Sequence, residues 1–184
     1  GETPFKTVYL HGLILDETGK KMSKSFWNVI DPLVIIKEYS VDSLRLATIL
    51  WNTPWNNLNF SIKTVQEYSL FLNKFWNIMR FVWMNIGNIT DSREALVEKI
   101  QKWQENLLPY EKWILSRLSG NIRDVTKGME EYTFSISGTE LISFIRDEFA
   151  DLAIESYKIE KDRTILGKEV LSLCTLDILS LMHP

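Results

Sequence analysis

Val65-Gln66-Glu67-Tyr68-Ser69-Leu70-Phe71-Leu72-Asn73-Lys74-Phe75-Trp76-Asn77-Ile78-Met79-Arg80-Phe81-Val82-Trp83-Met84-Asn85-Ile86 carries one unbroken periodicity. Val65, Tyr68, Leu72, Phe75, Met79, Val82 and Ile86 alternate steps of three and four, the spacing that lines one face of an α-helix. The pattern begins near Ser61 and stops at Gly87-Asn88. A face this long needs other helices to cover it, and the sequence that follows supplies them. A shorter helix is expected from about Arg93 to Gln104. Pro109 opens another, with Ile114, Leu118, Ile122, Val125 and Met129 on one side. Ser135 or Ser137 starts the next, Ser137-x-x-Glu140 having the form of a capping box. Its stripe reads Ile142, Ile145, Phe149, Leu152, Ser156 and Ile159. The last helix shows Leu171, Cys174, Ile178 and Leu181, and the sequence closes on His183-Pro184. Long helices joined by short links form an antiparallel bundle. Trp76 and Trp83 lie beside the long stripe and are expected in its core, as is Cys174.

Upstream the texture differs. Thr7 to Leu15 is rich in β-branched and aromatic residues and reads as a strand or strand pair bending at Gly12. Asp16-Glu17-Thr18-Gly19 is turn chemistry. Asp31-Pro32 supplies an N-cap and a first helical residue for a helix to about Tyr39. A second helix starts at Ser40 or Asp42 and runs to about Leu50. Asn52-Thr53-Pro54-Trp55-Asn56-Asn57 reads as a loop.

The chain has 184 residues, 45% apolar and 24% charged, which suits a globular unit with a proper core. Residues 1–90 hold 9 Lys and Arg against 7 Asp and Glu, and residues 91–184 hold 12 against 17. Local phosphate contacts fit the front half; the net charge of -3 argues against general coating of nucleic acid. A single cysteine excludes an internal disulfide and a cysteine metal cluster. No run is long enough for a membrane span and no signal peptide is visible. The opening Gly1-Glu2-Thr3-Pro4 lacks Met, so a piece of a longer protein is expected.

Lys20-Lys21-Met22-Ser23-Lys24-Ser25 is the most chemically loaded stretch, with three lysines and two hydroxyls directly after Gly19. Ammonium groups on a Gly-flanked loop neutralise charge on transferring phosphates, and hydroxyls and loop N–H groups add hydrogen bonds. Taken alone, such a loop also reads as solvated surface. Asp147, Glu148 and Asp151 cluster on one helix face, where a solvated or ion-paired surface is expected rather than metal binding.

The string Lys21-Met22-Ser23-Lys24-Ser25 resembles the signature loop of class I aminoacyl-tRNA synthetases. Its context matches as well: His11-Gly12 and Asp16 to Lys20 before it, Asn28-Val29-Ile30-Asp31-Pro32, Tyr39, Asp42 and Leu44-Arg45 after it. These place the resemblance in the valine/isoleucine/leucine branch. Asn73 to Asn77, Arg80-Phe81-Val82, Trp113 to Leu118 and Asp147 to Asp151 look most like the valyl enzymes.

The resemblance implies a mainly α chain: a short β/loop remnant of a Rossmann-type catalytic domain, then an antiparallel helical bundle. Residues 1–30 would end the catalytic domain, 31–60 would be the connecting segment that contacts the inner bend of tRNA, and 61–184 would be the anticodon-binding bundle, truncated at its C-terminus. ATP, with Mg in the full-length enzyme, is the implied substrate. Lys21 and Lys24 would be catalytic, stabilising the phosphates as pyrophosphate leaves. Met22 would lie near the adenine, and Ser23 and Ser25 would shape the loop. Two departures stand out. Trp27 takes the place of a family glycine and is expected to resist positive φ and to pack against the neighbouring helix. Tyr39-Ser40-Val41-Asp42 replaces Tyr-Gly-Ala-Asp.

On the long helix, Lys63, Leu70, Lys74, Asn77 and Phe81 fall roughly opposite the stripe, with Arg80 on a flank. An aromatic ring among lysines suits base stacking beside phosphate contacts, although Phe81 also fits helix packing. The resemblance maps anticodon contacts onto Lys74, Arg80 and Phe81, with Lys63 in place of an arginine. The implied activity is valine–tRNA ligation in the cytoplasm, with tRNA (anticodon arm and inner bend) as partner, no membrane and no metal site in this piece. Isoleucyl or leucyl enzymes remain alternatives, as does a non-catalytic tRNA-binding helical module with a relic loop. The second family signature, His-Ile-Gly-His, is missing, so the isolated piece is expected not to charge tRNA.

Overall fold

A computed structural model describes residues 4–51 and 53–183, so the expectations at Gly1 to Thr3, Asn52 and Pro184 lie outside the described residues. The fold is mainly helical, as expected, and divides into two compact units: residues 1–73 with 128–138, and residues 74–127 with 139–184.

In the first unit, β1 (Ile14–Leu15) pairs in parallel with β2 (Leu58–Asn59). Leu58 N donates to Leu13 O at 2.8 Å and Phe60 N to Leu15 O at 2.9 Å. The strand expected over Thr7 to Leu15 is therefore only two residues long. Its partner chain is bent just upstream, where Trp55 has φ 67; one further backbone bond, Trp55 N to Leu10 O at 3.3 Å, lies at the bend without continuing the regular ladder. Gly12 meets that bend so closely that a Cβ would stand 1.7 Å from the Asn56 carbonyl oxygen. β2 has no hydrophobic run and was not expected.

Helix α1 (Pro32–Tyr39) starts as read, with Asp31 accepting from Leu33 N at 2.9 Å. Helix α2 (Val41–Leu50) is capped by Ser40, whose Oγ accepts from Ser43 N at 3.2 Å. Ile35, Ala47, Phe60 and Val65 form the core, with Met22, Ile30, Tyr39, Leu44 and Tyr68 packed around them. Tyr9, Tyr132 and Phe134 add an aromatic cluster; the Tyr9 and Phe134 rings are 5.5 Å apart.

The long helix α3 spans Ile62–Ile86 and ends at Gly87 (φ 76), whose N–H bonds Trp83 O at 2.8 Å. Its apolar stripe is buried or half-buried, but Trp76 and Trp83 are 70% and 62% exposed, correcting their assignment to the core. Both sit about 50–70° off the stripe's centre on the side away from buried Ile78. In the second unit α4 (Arg93–Lys102) stops two residues early and passes into a 3-10 turn, Gln104–Asn106. α5 runs Pro109–Glu130, its side chains Ile114, Leu118 and Val125 fully buried. α8 (Gly167–Met182) packs on α4, tied by Arg93–Asp177 at 2.5 Å and by Lys99–Glu169. Cys174 is buried, and burial pushes its thiol pKa up, so it is core as expected.

The capping box does not form. Ser137 lies inside α6 (Phe134–Ser143), and its hydroxyl donates to Thr133 O at 3.1 Å. α6 continues without a break through a π-helical stretch, Phe144–Ile154, into α7 (Glu155–Glu160). The wider π turn rotates every later side chain relative to an α-helical count. Leu152 and Ile159, expected on the stripe, are 53% and 80% exposed; Ala153, Ile154 and Tyr157 are buried instead. No helix among the described residues is long and apolar enough to cross a membrane.

Candidate functional site

The lysine loop is held from both ends by one clamp. The Asp16 carboxylate accepts from Thr18 N (3.0 Å), Thr18 Oγ1 (2.7 Å) and Lys20 N (2.9 Å), while Gly19 (φ 80) turns the chain. Its other oxygen accepts from Asn28 Nδ2 at 2.7 Å. Asn28 also donates to Lys21 O at 3.2 Å and accepts from Ser23 N at 2.9 Å. The Asn28 amide, then the Lys20 N–H and the Thr18 groups, pull the Asp16 pKa down to about 2. Residues 12 positions apart are thus joined, and the six-residue loop between turn and helix cannot open freely.

Within this frame Met22 is half-buried and packs against the Ile35 core cluster, which anchors the loop. Ser23 is half-buried and its hydroxyl has no protein partner among the described residues. Lys21, Lys24 and Ser25 are exposed, with Lys24 opening a 3-10 turn, Lys24–Phe26. Trp27 closes that turn at φ 52, ψ 26, and its ring is 93% exposed. It neither packs against the neighbouring helix nor avoids positive φ, which corrects both expectations. The residue takes the left-handed backbone that a glycine would adopt there, at a strain of roughly 1–2 kcal/mol.

The candidate face on α3 is arranged differently from its helical-wheel reading. Lys63 is exposed and belongs to the first unit. In the second unit Lys74 pairs with Asp151 at 3.0 Å. Phe81 is half-buried beneath Lys158, whose Nζ stands 4.8 Å from the ring centroid. Asn77 and Arg80 are exposed, and Arg80 makes no ion pair among the described residues. The π stretch brings Asp151 opposite Lys74, and about two further turns bring Lys158 over Phe81. The acidic cluster is ion-paired as expected: Asp147 with Arg146 at 2.7 Å and Glu148 with Arg117 at 2.5 Å. Among the described residues no group of three or more His, Cys, Asp or Glu is placed to hold a metal.

Sequence reading missed the Asp16–Asn28 clamp, although Asp-x-Thr-Gly is a local signal for a side-chain-closed turn. It also missed Lys158 and Asp151 as covers of the α3 face, because the π stretch hides their phase.

Residues 1–61 match the model of "tRNA synthetases class I (I, L, M and V)", and residues 111–184 match "Anticodon-binding domain of tRNA ligase". The chain is 37% identical over 189 residues to a valine--tRNA ligase of Bacillus thuringiensis subsp. konkukian, an alignment covering 100% of the chain and 21% of the relative. It is 39% identical over 191 residues to that of Streptococcus thermophilus, covering 100% and 21%. With that of Bacillus cereus (strain ATCC 10987 / NRS 248) it shares 41% over 159 residues, covering 86% and 17%. The chain thus spans about a fifth of the length of the relatives it matches. Among solved structures, the ternary complex of Agrobacterium radiobacter K84 agnB2 LeuRS-tRNA-LeuAMS has the same fold. Its TM-score is 0.69 at 19% identity, covering 95% of the chain and 20% of that protein.

Proposed function

Since the chain belongs to the class I tRNA synthetases, we propose that it is the phosphate-loop and anticodon-binding part of a cytoplasmic valine–tRNA ligase. The observation that carries this reading is the clamped loop. Asn28 and Asp16 fix its backbone, Met22 anchors it in the core, and Lys21 and Lys24 are left facing solvent. In the intact enzyme the valine carboxylate attacks the α-phosphorus of ATP, the bond to the β-phosphate breaks, and pyrophosphate leaves with Mg. Charge grows on the departing phosphates, and Lys21 and Lys24 stabilise it; a preformed loop does so with little reorganisation. Ser23 and Ser25 shape and solvate the loop. A ribose hydroxyl of the tRNA then takes the valyl group and AMP is released. Residues 61–184 bind the anticodon arm, with Lys63, Lys74, Asn77, Arg80 and Phe81 as contacts, and residues 31–60 reach the inner bend.

For Lys74 and Phe81 to meet RNA, Asp151 and Lys158 must give way; both are surface partners of modest strength. Trp27 favours a working loop over a relic, because its left-handed backbone is one that a glycine takes without strain. The isolated piece does not charge tRNA, since the amino-acid pocket lies elsewhere in such enzymes. The test is Lys24→Ala in the intact protein: valine-dependent pyrophosphate exchange falls by about 10²–10³-fold, the scale of one lost preorganised donor. Unchanged exchange would remove the role assigned to the loop.

A further inference from the structure

The C-terminal end of α3 holds a cleft that the readings above do not use, beside Arg80, which they do. Met79, Val82, Trp83, Ile86 and Asn88, with Thr175 of α8, line a cleft of about 360 Å³. That volume falls within the range of roughly 300–1,000 Å³ usual for small-ligand sites. The walls are mostly apolar, but Thr175 is only 6% exposed and its hydroxyl is buried without a protein partner among the described residues. Buried hydroxyls are nearly always bonded, so an orphan in a cleft wall is free to bond a polar atom that enters the cleft. The Trp83 indole donates through Nε1 to Asn88 Oδ1 at 3.1 Å, which restrains the ring and leaves the Asn88 amide nitrogen without a partner among the described residues. One helical turn earlier on the same side stands exposed Arg80, without an ion pair or hydrogen bond among the described residues. A further turn back is Trp76, 70% exposed. Asp177, two residues beyond Thr175, is neutralised by Arg93.

We infer that this cleft receives one unpaired nucleobase of the anticodon loop, turned out of its stack, with Trp83 as the stacking wall and Thr175 and Asn88 reading its polar edge. Arg80 meets the adjoining phosphate, and Trp76, about 10 Å along the helix from Trp83, supports a neighbouring base. This rests on the anticodon-binding reading given under Proposed function, and adds to it where a base goes and which side chains read it. A base fits better than an apolar peptide side chain because the cleft combines a flat aromatic wall with an orphan hydroxyl and an amide, and an unpaired guanidinium stands one turn away on α3. Sequence-specific recognition of RNA works in this way, on splayed single-stranded bases stacked on aromatic rings and bonded at their edges.

The test uses the intact protein and a valine-accepting tRNA transcript, together with transcripts carrying one abasic position at a time in the anticodon loop. Trp83→Ala weakens binding of the natural transcript by about 10- to 100-fold, the range of one lost base stack. The loss disappears on the transcript that is abasic at the captured position. Thr175→Val, which keeps the shape and removes the hydroxyl, weakens binding about three- to tenfold and only when that base is present. This variant also serves if Trp83→Ala does not fold. Equal losses on every abasic transcript, or wild-type affinity in both variants, would overturn the inference. So would a Trp83→Ala protein with reduced thermal stability and unchanged tRNA affinity, because the cleft would then hold another part of the protein. If the wild type does not distinguish whole tRNA from tRNA lacking its anticodon arm, the anticodon reading itself fails, and the base-receiving cleft with it.

Discussion

Replacing Trp27 by glycine removes the largest exposed ring on the phosphate loop without destabilising the protein. The indole is 93% exposed, so its loss forfeits almost no buried area. The backbone at φ 52, ψ 26 costs a residue with a Cβ roughly 1–2 kcal/mol, and glycine is free of that cost. Against this, glycine adds freedom to the unfolded chain, worth about 0.5–1 kcal/mol. The balance is a gain of about 0.5–1 kcal/mol for Trp27→Gly. Trp27→Ala keeps the Cβ and its strain, so it stays close to the wild type. Urea unfolding of the three proteins, with equal slopes, reads the differences as midpoints. The informative quantity is the gap between the glycine and alanine variants, about 1 kcal/mol in favour of glycine. If both variants are less stable than the wild type by more than about 1 kcal/mol, the ring is held by contacts and the strain argument fails. In the intact protein Trp27→Gly also keeps pyrophosphate exchange, because the loop's backbone path is the one a glycine takes.

The Asp16 carboxylate is held below its ordinary pKa of 3.8, at about 2, so its contribution to loop order is complete above pH 4 and is lost as pH falls towards 2. Protection of the Ser23 and Lys20 amides, corrected for the intrinsic pH dependence of exchange, falls through that window in the wild type, and Ser23 protection is already lost at pH 5 in Asn28→Ala; equal Ser23 protection in the two proteins would contradict the clamp. Gly12→Ala drives a Cβ to 1.7 Å from the Asn56 carbonyl oxygen, a backbone atom that cannot swing away. It lowers stability by about 3 kcal/mol or more, read by thermal unfolding. Arg93→Ala leaves buried Asp177 without its bidentate partner. It costs about 2–3 kcal/mol, less than for a fully buried pair because Arg93 is half-exposed; a loss under about 0.5 kcal/mol in urea would contradict the pairing.

Helix starts were legible because local chemistry sets them. Asp31-Pro32, Ser40 and Pro109 each supply a cap or a first helical residue, and each helix begins there. The α3 stripe and the identity of the loop were legible for related reasons, one from spacing and one from an unusual string. What failed was non-local. The strand over Thr7 to Leu15 shortened because its partner is bent at Trp55. Leu152 and Ile159 face outward because a π stretch, which has no sequence code of its own, changes the helical phase. Trp76 and Trp83 were assigned to the core because large rings usually pack, yet their exposure is what makes the end of α3 a candidate for RNA. Trp27 shows the same limit on the backbone: propensity argued against positive φ, yet the residue closes the 3-10 turn in the left-handed region with its N–H on Lys24 O. At the candidate site the residue types were readable, while their partners, Asp151, Lys158 and Asn28, were set by tertiary structure.

Aminoacylation of tRNA by the intact protein, supplied in turn with valine, isoleucine and leucine, tests the central claim most directly. Valine is charged in strong preference, and Lys24→Ala abolishes most of that charging while leaving tRNA binding in place. Preferential charging with isoleucine or leucine, or tRNA binding with no charging of any of the three, would contradict it.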